Sequence, residues 1–283
     1  MKNDELDFLK EAYQYLENPS FITRVTDYLG KPIQKTMDRM PPLVQEKLSS
    51  ASEMAIRKSL DVAHNSLQSI PQGPSTLDKI KSESSKLRLS HNLATATTGA
   101  VGGFFGEIGF LIELPITTTL IMRSILAQGQ NYGHLSKEEL ITNALYVFSL
   151  GSSKSKADDE MDTAYYTSRF AMDYAIKRAA EYLALNTHRT VLKNIEAGSA
   201  PFILELISKV AGRFNIAVGE KMLAESLPVV GAVGGATINL LFTDFFTLSA
   251  KYHFGIKYLE SKYGKDIVQE HYSRLTNNSF TAA

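Results

Sequence analysis

The sequence predicts an all-α fold. Three observations carry that reading: apolar residues recur at spacings of three and four, no stretch alternates as a strand would, and proline, glycine and capping signals punctuate the periodic segments. The expected architecture is a multi-helix globular bundle. It comprises an N-terminal amphipathic helical arm (residues 1–80), a main helical body (81–275) with glycine-rich apolar helices, and a flexible tail (276–283).

Taken in order, Asp4 to Glu17 reads as a short amphipathic helix, broken at Asn18-Pro19. An apolar stripe follows through Ile22, Val25, Leu29, Ile33, Met37 and Met40, and another through Met54, Ile56, Leu60, Ala63, Leu67 and Ile70. Pro41-Pro42 and the stretch Pro71 to Ser75 mark loops, the second closing the arm. In the body, Pro115 suits the first turn of a helix that stops at Tyr132-Gly133. Ser136 and Glu139 fit a capping box that starts the next helix, ending near Leu150. Gly151 to Asp162 reads as a polar loop. Helices follow over Tyr165–Leu185, Pro201–Phe214 and the stretch before Pro228, and a last long helix runs to Tyr263-Gly264. Asn277 to Ala283 reads as frayed.

Composition narrows the function. The chain carries 30 basic and 30 acidic residues, so no overall field draws in nucleic acid. It has no cysteine, which excludes disulfides, thiolate nucleophiles and cysteine-ligated zinc, and which suits the cytosol. The opening residues, Met1 to Glu5, lack the basic and apolar regions of a secretory signal. The longest tract without a charge, Ser226 to Thr243, is shorter than the roughly 20 apolar residues that span a bilayer.

The segment Gly-Ala-Val-Gly-Gly occurs twice, at 99–103 and 231–235. Each copy precedes an apolar tract holding one carboxylate (Glu113, Asp244) and then a Tyr-Gly stop (Tyr132-Gly133, Tyr263-Gly264), the pattern of a weak internal duplication. Neither copy has the spacing of a dinucleotide fingerprint, and neither is followed by the Gly-Lys-Ser/Thr of a phosphate-binding loop. The small-xxx-small spacing of Gly99, Gly102, Gly103, Gly106, Gly231 and Gly235 instead suits close helix crossings. A lipid-contacting hairpin is the other reading of the same glycines.

Three groups of residues together resemble the EcsC family. They are Glu113-Leu-Pro-Ile-Thr-Thr118 with Arg123-Ser-Ile125, Leu150-Gly151 followed by Tyr165-Tyr166 and Arg169, and Pro228 through Asn239. The resemblance spans roughly Leu87 to Tyr272 and leaves the arm outside it. It implies a link to the membrane surface and to a membrane transporter as partner, since the family is named for a protein encoded beside such a transporter. It supplies no catalytic residues.

Polar residues set in apolar tracts are Glu113, Arg123, Asn239 and Asp244. A buried carboxylate needs a partner, so the plain expectation is a structural Glu113–Arg123 pair, or an Asp244–Arg pair. The sharper one is a Glu113/Asp244 carboxylate pair for acid–base work in a hydrolase. Histidines 64, 91, 134, 188, 253 and 271 are scattered without metal-ligand spacing, so neither metal nor cofactor is expected. Ser153 and Lys156 lie in a loop rich in both residue types, and Asp158, Asp159, Glu160 and Asp162 read as solvated. Tyr165 and Arg169 are helical neighbours with a packing role.

The function expected is that of a non-enzymatic, peripheral membrane or lipid-associated protein at the inner face of the membrane. It would bind membrane lipid or an apolar ligand, with Phe104, Phe105, Val229, Val230 and Phe242 as the contacting residues. The alternatives are the carboxylate-pair hydrolase and a soluble adaptor of a membrane transporter.

Overall fold

A computed structural model describes residues 1–17, 21, 24–26, 40–67, 106–133, 135–151, 164–225 and 231–280. Helices are α1 (Asn3–Leu16), α2 (Pro42–Ser66), α3 (Gly106–Tyr132), α4 (Lys137–Val147), α5 (Ala164–Leu185), α6 (His188–Glu196), α7 (Pro201–Glu225), α8 (Gly231–Tyr263) and α9 (Lys265–Phe280), with a 3-10 turn at Phe148–Gly151. No strand occurs among the described residues.

Local chemistry accounts for most boundaries. The Ser136 hydroxyl accepts from the Glu139 N–H at 3.2 Å, and the Glu139 carboxylate accepts from the Ser136 N–H at 3.0 Å, so the capping box starts α4 as expected. Gly133 and Gly264 end α3 and α8 with φ of 62° and 92°, a conformation that other L-residues adopt at a cost. Four expectations need correction. Helix α3 begins at Gly106, so Pro115 lies inside it and not in its first turn. Helix α7 runs unbroken from Pro201 to Glu225. Helix α9 continues to Phe280, past the expected fraying point. On α2 the buried face is Leu48, Ser52, Ala55, Ile56, Ser59, Leu60 and Ala63, and Met54 is half exposed because it falls on the opposite side.

Helix α3 is the centre of the bundle. It packs between α2 and α8, and all three run in the same direction. On the α8 side, Glu113 meets Asn239 near the helix starts, while the Tyr132 hydroxyl donates to the Lys251 carbonyl at 3.0 Å near the end of α3. On the α2 side, Leu43 to Met54 face Leu111 and Pro115, and Leu67 faces Gly129 and Gly133. Helix α7 packs on α2 and α5, and α4 on α3 and α5. An aromatic cluster of Phe148, Phe214, Phe242, Phe245 and Phe246 fills the interior, with neighbouring ring centroids 5.1 to 5.7 Å apart.

The described parts of the N-terminal segment, expected as an arm, contribute to this core. Phe8, Leu9, Ala12, Ile56 and Leu60 are buried, and α1 packs on α8 and α9. Its anchor is Glu5, whose carboxylate accepts from Lys262 at 2.6 Å, Tyr263 at 2.7 Å and the Lys2 N–H at 2.8 Å. Burial alone would push this carboxyl up. The donors from Lys262, Lys2 and Tyr263 outweigh burial and hold it at about 2, below the ordinary 4.5.

Of the expected close-packing glycines, Gly99, Gly102 and Gly103 lie outside the described residues, Gly106 opens α3, and Gly231 and Gly235 sit in the first turns of α8. Tight crossings are visible elsewhere. A methyl group at Gly255 would overlap the buried Phe8 ring and come within 3.0 Å of the Tyr132 hydroxyl. Gly129 likewise faces Leu140 and Phe254.

Two outcomes follow. Gly255→Ala should lower the unfolding free energy by about 1–3 kcal/mol in urea titrations, since overpacking against Phe8 outweighs the helix propensity gained. Because the Glu5 carboxyl is depressed in the folded state, its stabilisation is complete above pH 4.5 and is lost as pH falls from there toward 2. Glu5→Gln should therefore lower stability at neutral pH and flatten the acid limb of the stability curve over that window.

Candidate functional site

Where the starts of α3 and α8 meet the end of α7, the core holds a cluster of charges. Lys221 of α7 is completely buried, and its ammonium lies 2.8 Å from Glu225 and 3.4 Å from Glu113. The same nitrogen sits 4.7 Å from the Phe110 ring centre and 5.8 Å from that of Phe242. Three donors converge on one Glu113 oxygen: Asn239 at 2.6 Å, Thr117 at 2.9 Å and Lys221. Helical periodicity makes this possible, because Glu113 and Thr117 are one turn apart on α3, as are Lys221 and Glu225 on α7. Burial raises the Glu225 carboxyl above its ordinary value. The Lys221 ammonium acts in the opposite direction, and the neighbouring Glu113 charge adds to the rise.

This arrangement corrects both expected partnerships of Glu113. Arg123 is exposed and Lys221 takes its place. Ten residues of helix separate positions 113 and 123 by about 15 Å along the axis, too far for a pair. Asp244 does not share the site with Glu113; its charge acts on Tyr15, over whose ring the Arg24 guanidinium lies at 3.9 Å. Five residues beyond Asn239 on α8, it faces roughly the opposite side of that helix. The carboxylate that does accompany Glu113 is Glu225, which the sequence reading passed over because Lys221 and Glu225 stand in an ordinary-looking charged stretch.

Of the residues expected to touch lipid, Phe104, Phe105, Val229 and Val230 lie outside the described residues. Phe242 is fully buried, 5.0 Å from Phe21 and 5.1 Å from Phe246 by ring centroid, and presents no surface to lipid. It falls on the core side of α8, one turn before Phe246.

A second buried polar network joins α4, α5, α8 and α9. Asn143 donates to the Glu139 carbonyl at 2.7 Å, so its side-chain oxygen faces His253 Nε2 at 3.1 Å. His253 therefore donates from Nε2, and its Nδ1 accepts from the Tyr165 hydroxyl at 2.9 Å. Arg169 makes a two-pronged pair with Glu260 at 2.7 and 2.6 Å, and Tyr166 adds a bond to the same carboxylate at 3.0 Å. Tyr272 donates to Glu17 at 3.0 Å. Tyr165, Tyr166 and Arg169 thus hold α5 to the bundle.

On the side of α3 away from Glu113 lies an open groove of about 490 Å³, lined by the apolar Leu43, Ala51 and Met54 and the polar Glu46, Lys47 and Ser50 of α2 and by Leu111 and Pro115 of α3. Leu43 is 62% exposed and Met54 50%, and on α3 Ile112 and Ile116, next in sequence to Leu111 and Pro115, are 66% and 51% exposed. Among the described residues, Gly109–Tyr132 is long and apolar enough to cross a membrane by length and composition, yet 61% of its apolar window is buried by protein. Its exposed positions are Ile112, Ile116 and Arg123.

Removing the buried ammonium should be costly. Lys221→Met leaves two carboxylates uncompensated and should destabilise by about 3–5 kcal/mol in chemical denaturation. Adding Glu113→Gln should recover part of that loss, whereas Arg123→Met, at an exposed position, should stay within about 0.5 kcal/mol of the parent.

No curated protein and no solved structure matches the chain. A family model matches residues 7–259, starting within α1 where the sequence resemblance began only near Leu87. Two of the groups that carried the resemblance meet physically at the Glu113–Asn239 hydrogen bond, and a third supplies the Arg169–Glu260 pair. The chain belongs to the EcsC protein family.

Proposed function

We propose that this protein is a peripheral, lipid-associated protein without catalysis of its own, which beds one end of its helical bundle on the inner face of a membrane. One observation carries the reading: α2 and α3 expose large apolar side chains toward the end where α3 and α8 begin, Leu43 and Met54 in the lining of their shared groove and Ile112 and Ile116 on α3 next in sequence to the groove-lining Leu111 and Pro115. Clustered exposed apolar side chains mark sites of protein or membrane contact. The second Gly-Ala-Val-Gly-Gly segment opens α8 at that end, and the first precedes α3 in the sequence.

We also read α3 and α8 as the two halves of a duplicated unit. Both follow or begin with the same five residues, both end at Tyr-Gly with a left-handed glycine, and they lie side by side in the same direction. The hydrolase reading has no comparable support, because Glu113 and Asp244 serve different neighbours.

Flotation with vesicles of a neutral phospholipid tests the proposal. The parent should float, and should continue to do so at high salt, because apolar burial and not net charge drives the contact. Ile112→Asp with Ile116→Asp should abolish flotation while circular dichroism stays unchanged, since both side chains already face solvent. A folded parent that stays at the bottom of the gradient would defeat the reading.

A further inference from the structure

The same face carries a cationic collar, and we infer that it docks on phosphate-bearing lipid headgroups with Arg123 and Lys58 as the contacts. The inference rests on the membrane reading above and specifies the surface that the apolar face enters. Along α3, Ile112, Ile116, Thr119 and Arg123 fall within roughly 60° of one line by helical periodicity. Ile112 and Ile116 are exposed, and so is Arg123. Arg123 stands about 10 Å beyond Ile116 along the helix axis. On the neighbouring α2, exposed Lys58 lies one turn beyond Met54. Since α2 and α3 run in the same direction, with Met54 and Pro115 lining the same groove, Lys58 and Arg123 both lie further from the start of their helices than those groove residues.

This order of side chains fits a bilayer boundary. Along α3 the apolar groups come first and Arg123 follows about 10 Å on, a spacing on the scale of the depth to which an apolar helix face is buried below the headgroups. The other charges on the face have neighbours of their own. Lys47 and Glu46 both line the groove, Glu53 is paired with Arg57 at 2.7 Å, and Asp61, one turn beyond Lys58, is met by His188 at 2.8 Å. A protein partner covering the groove would have no need of cations set back from it on both helices, whereas an anionic surface does. The whole chain is neutral, so any preference for anionic lipid must arise from a local arrangement such as this one.

The test compares the full-length protein on vesicles of phosphatidylcholine alone and with phosphatidylserine added, at low and high salt. The expected result is binding to both, several-fold tighter to the anionic vesicles at low salt, with that gain erased by high salt. Arg123→Gln with Lys58→Gln should remove the anionic gain and leave binding to neutral vesicles at the parent level. Arg123→Lys with Lys58→Arg should retain it, which separates a charge contact from loss of fold. A double Gln variant that keeps the full gain overturns the collar and leaves the apolar reading standing. Absence of binding to either vesicle overturns both, and would assign the face to a protein partner.

Discussion

The ammonium of Lys221 has no access to water, and much of the architecture answers to that fact. An unpaired charge in a protein interior is too costly to keep, so the residue requires counter-charges from elements brought to it. One comes from its own helix, Glu225, and one from α3, Glu113, while Asn239 of α8 fixes the orientation of the latter. Three helices are therefore placed relative to one another at the end where α3 and α8 begin. Sliding α3 by a single turn against α7 or α8 would strand the cluster. Apolar packing in the rest of the core tolerates such slips far better, because a leucine can exchange one neighbour for another.

The polar network around Tyr165 and Arg169 performs the corresponding task on the other flank. It ties α5 to α8 through Glu260 and to α4 through His253 and Asn143. Glu5 does the same for α1 against the end of α8. The apolar core supplies most of the burial, and these few directional bonds select one arrangement among the many in which helices of similar stripe could pack.

The fold was largely legible in the sequence because its signals are local. The capping box at Ser136 and Glu139 and the glycines at 133 and 264 work within one turn of chain, and the structure has each of them where the spacing put it. The start of α3 was misread because Pro115 is also a good first-turn residue, and only the packing of the preceding turns makes them helical. The charge cluster was half legible. Glu113 and Asn239 stood out as polar residues in apolar tracts, but Lys221 and Glu225 look like any exposed lysine–glutamate pair until α3 is laid over them. Arg123 is close to Glu113 in sequence, but helical geometry carries it away along the axis. Which partner a buried charge finds is decided by tertiary packing, and periodicity alone does not report it.

On the proposed membrane contact, Pro115 bears on how deep the apolar face would go. Lacking an N–H, it gives nothing to the carbonyl of Leu111 one turn earlier, and both residues line the groove. In hydrocarbon, a backbone carbonyl without a donor costs several kcal/mol. At the level of the glycerol ester groups, water and lipid hydroxyls can supply one. On that contact, the gap in the ladder would be met most easily in the wet boundary layer of a bilayer, whereas a crossing of the dry interior, which the length and composition of α3 would allow, would need a donor from a neighbouring group.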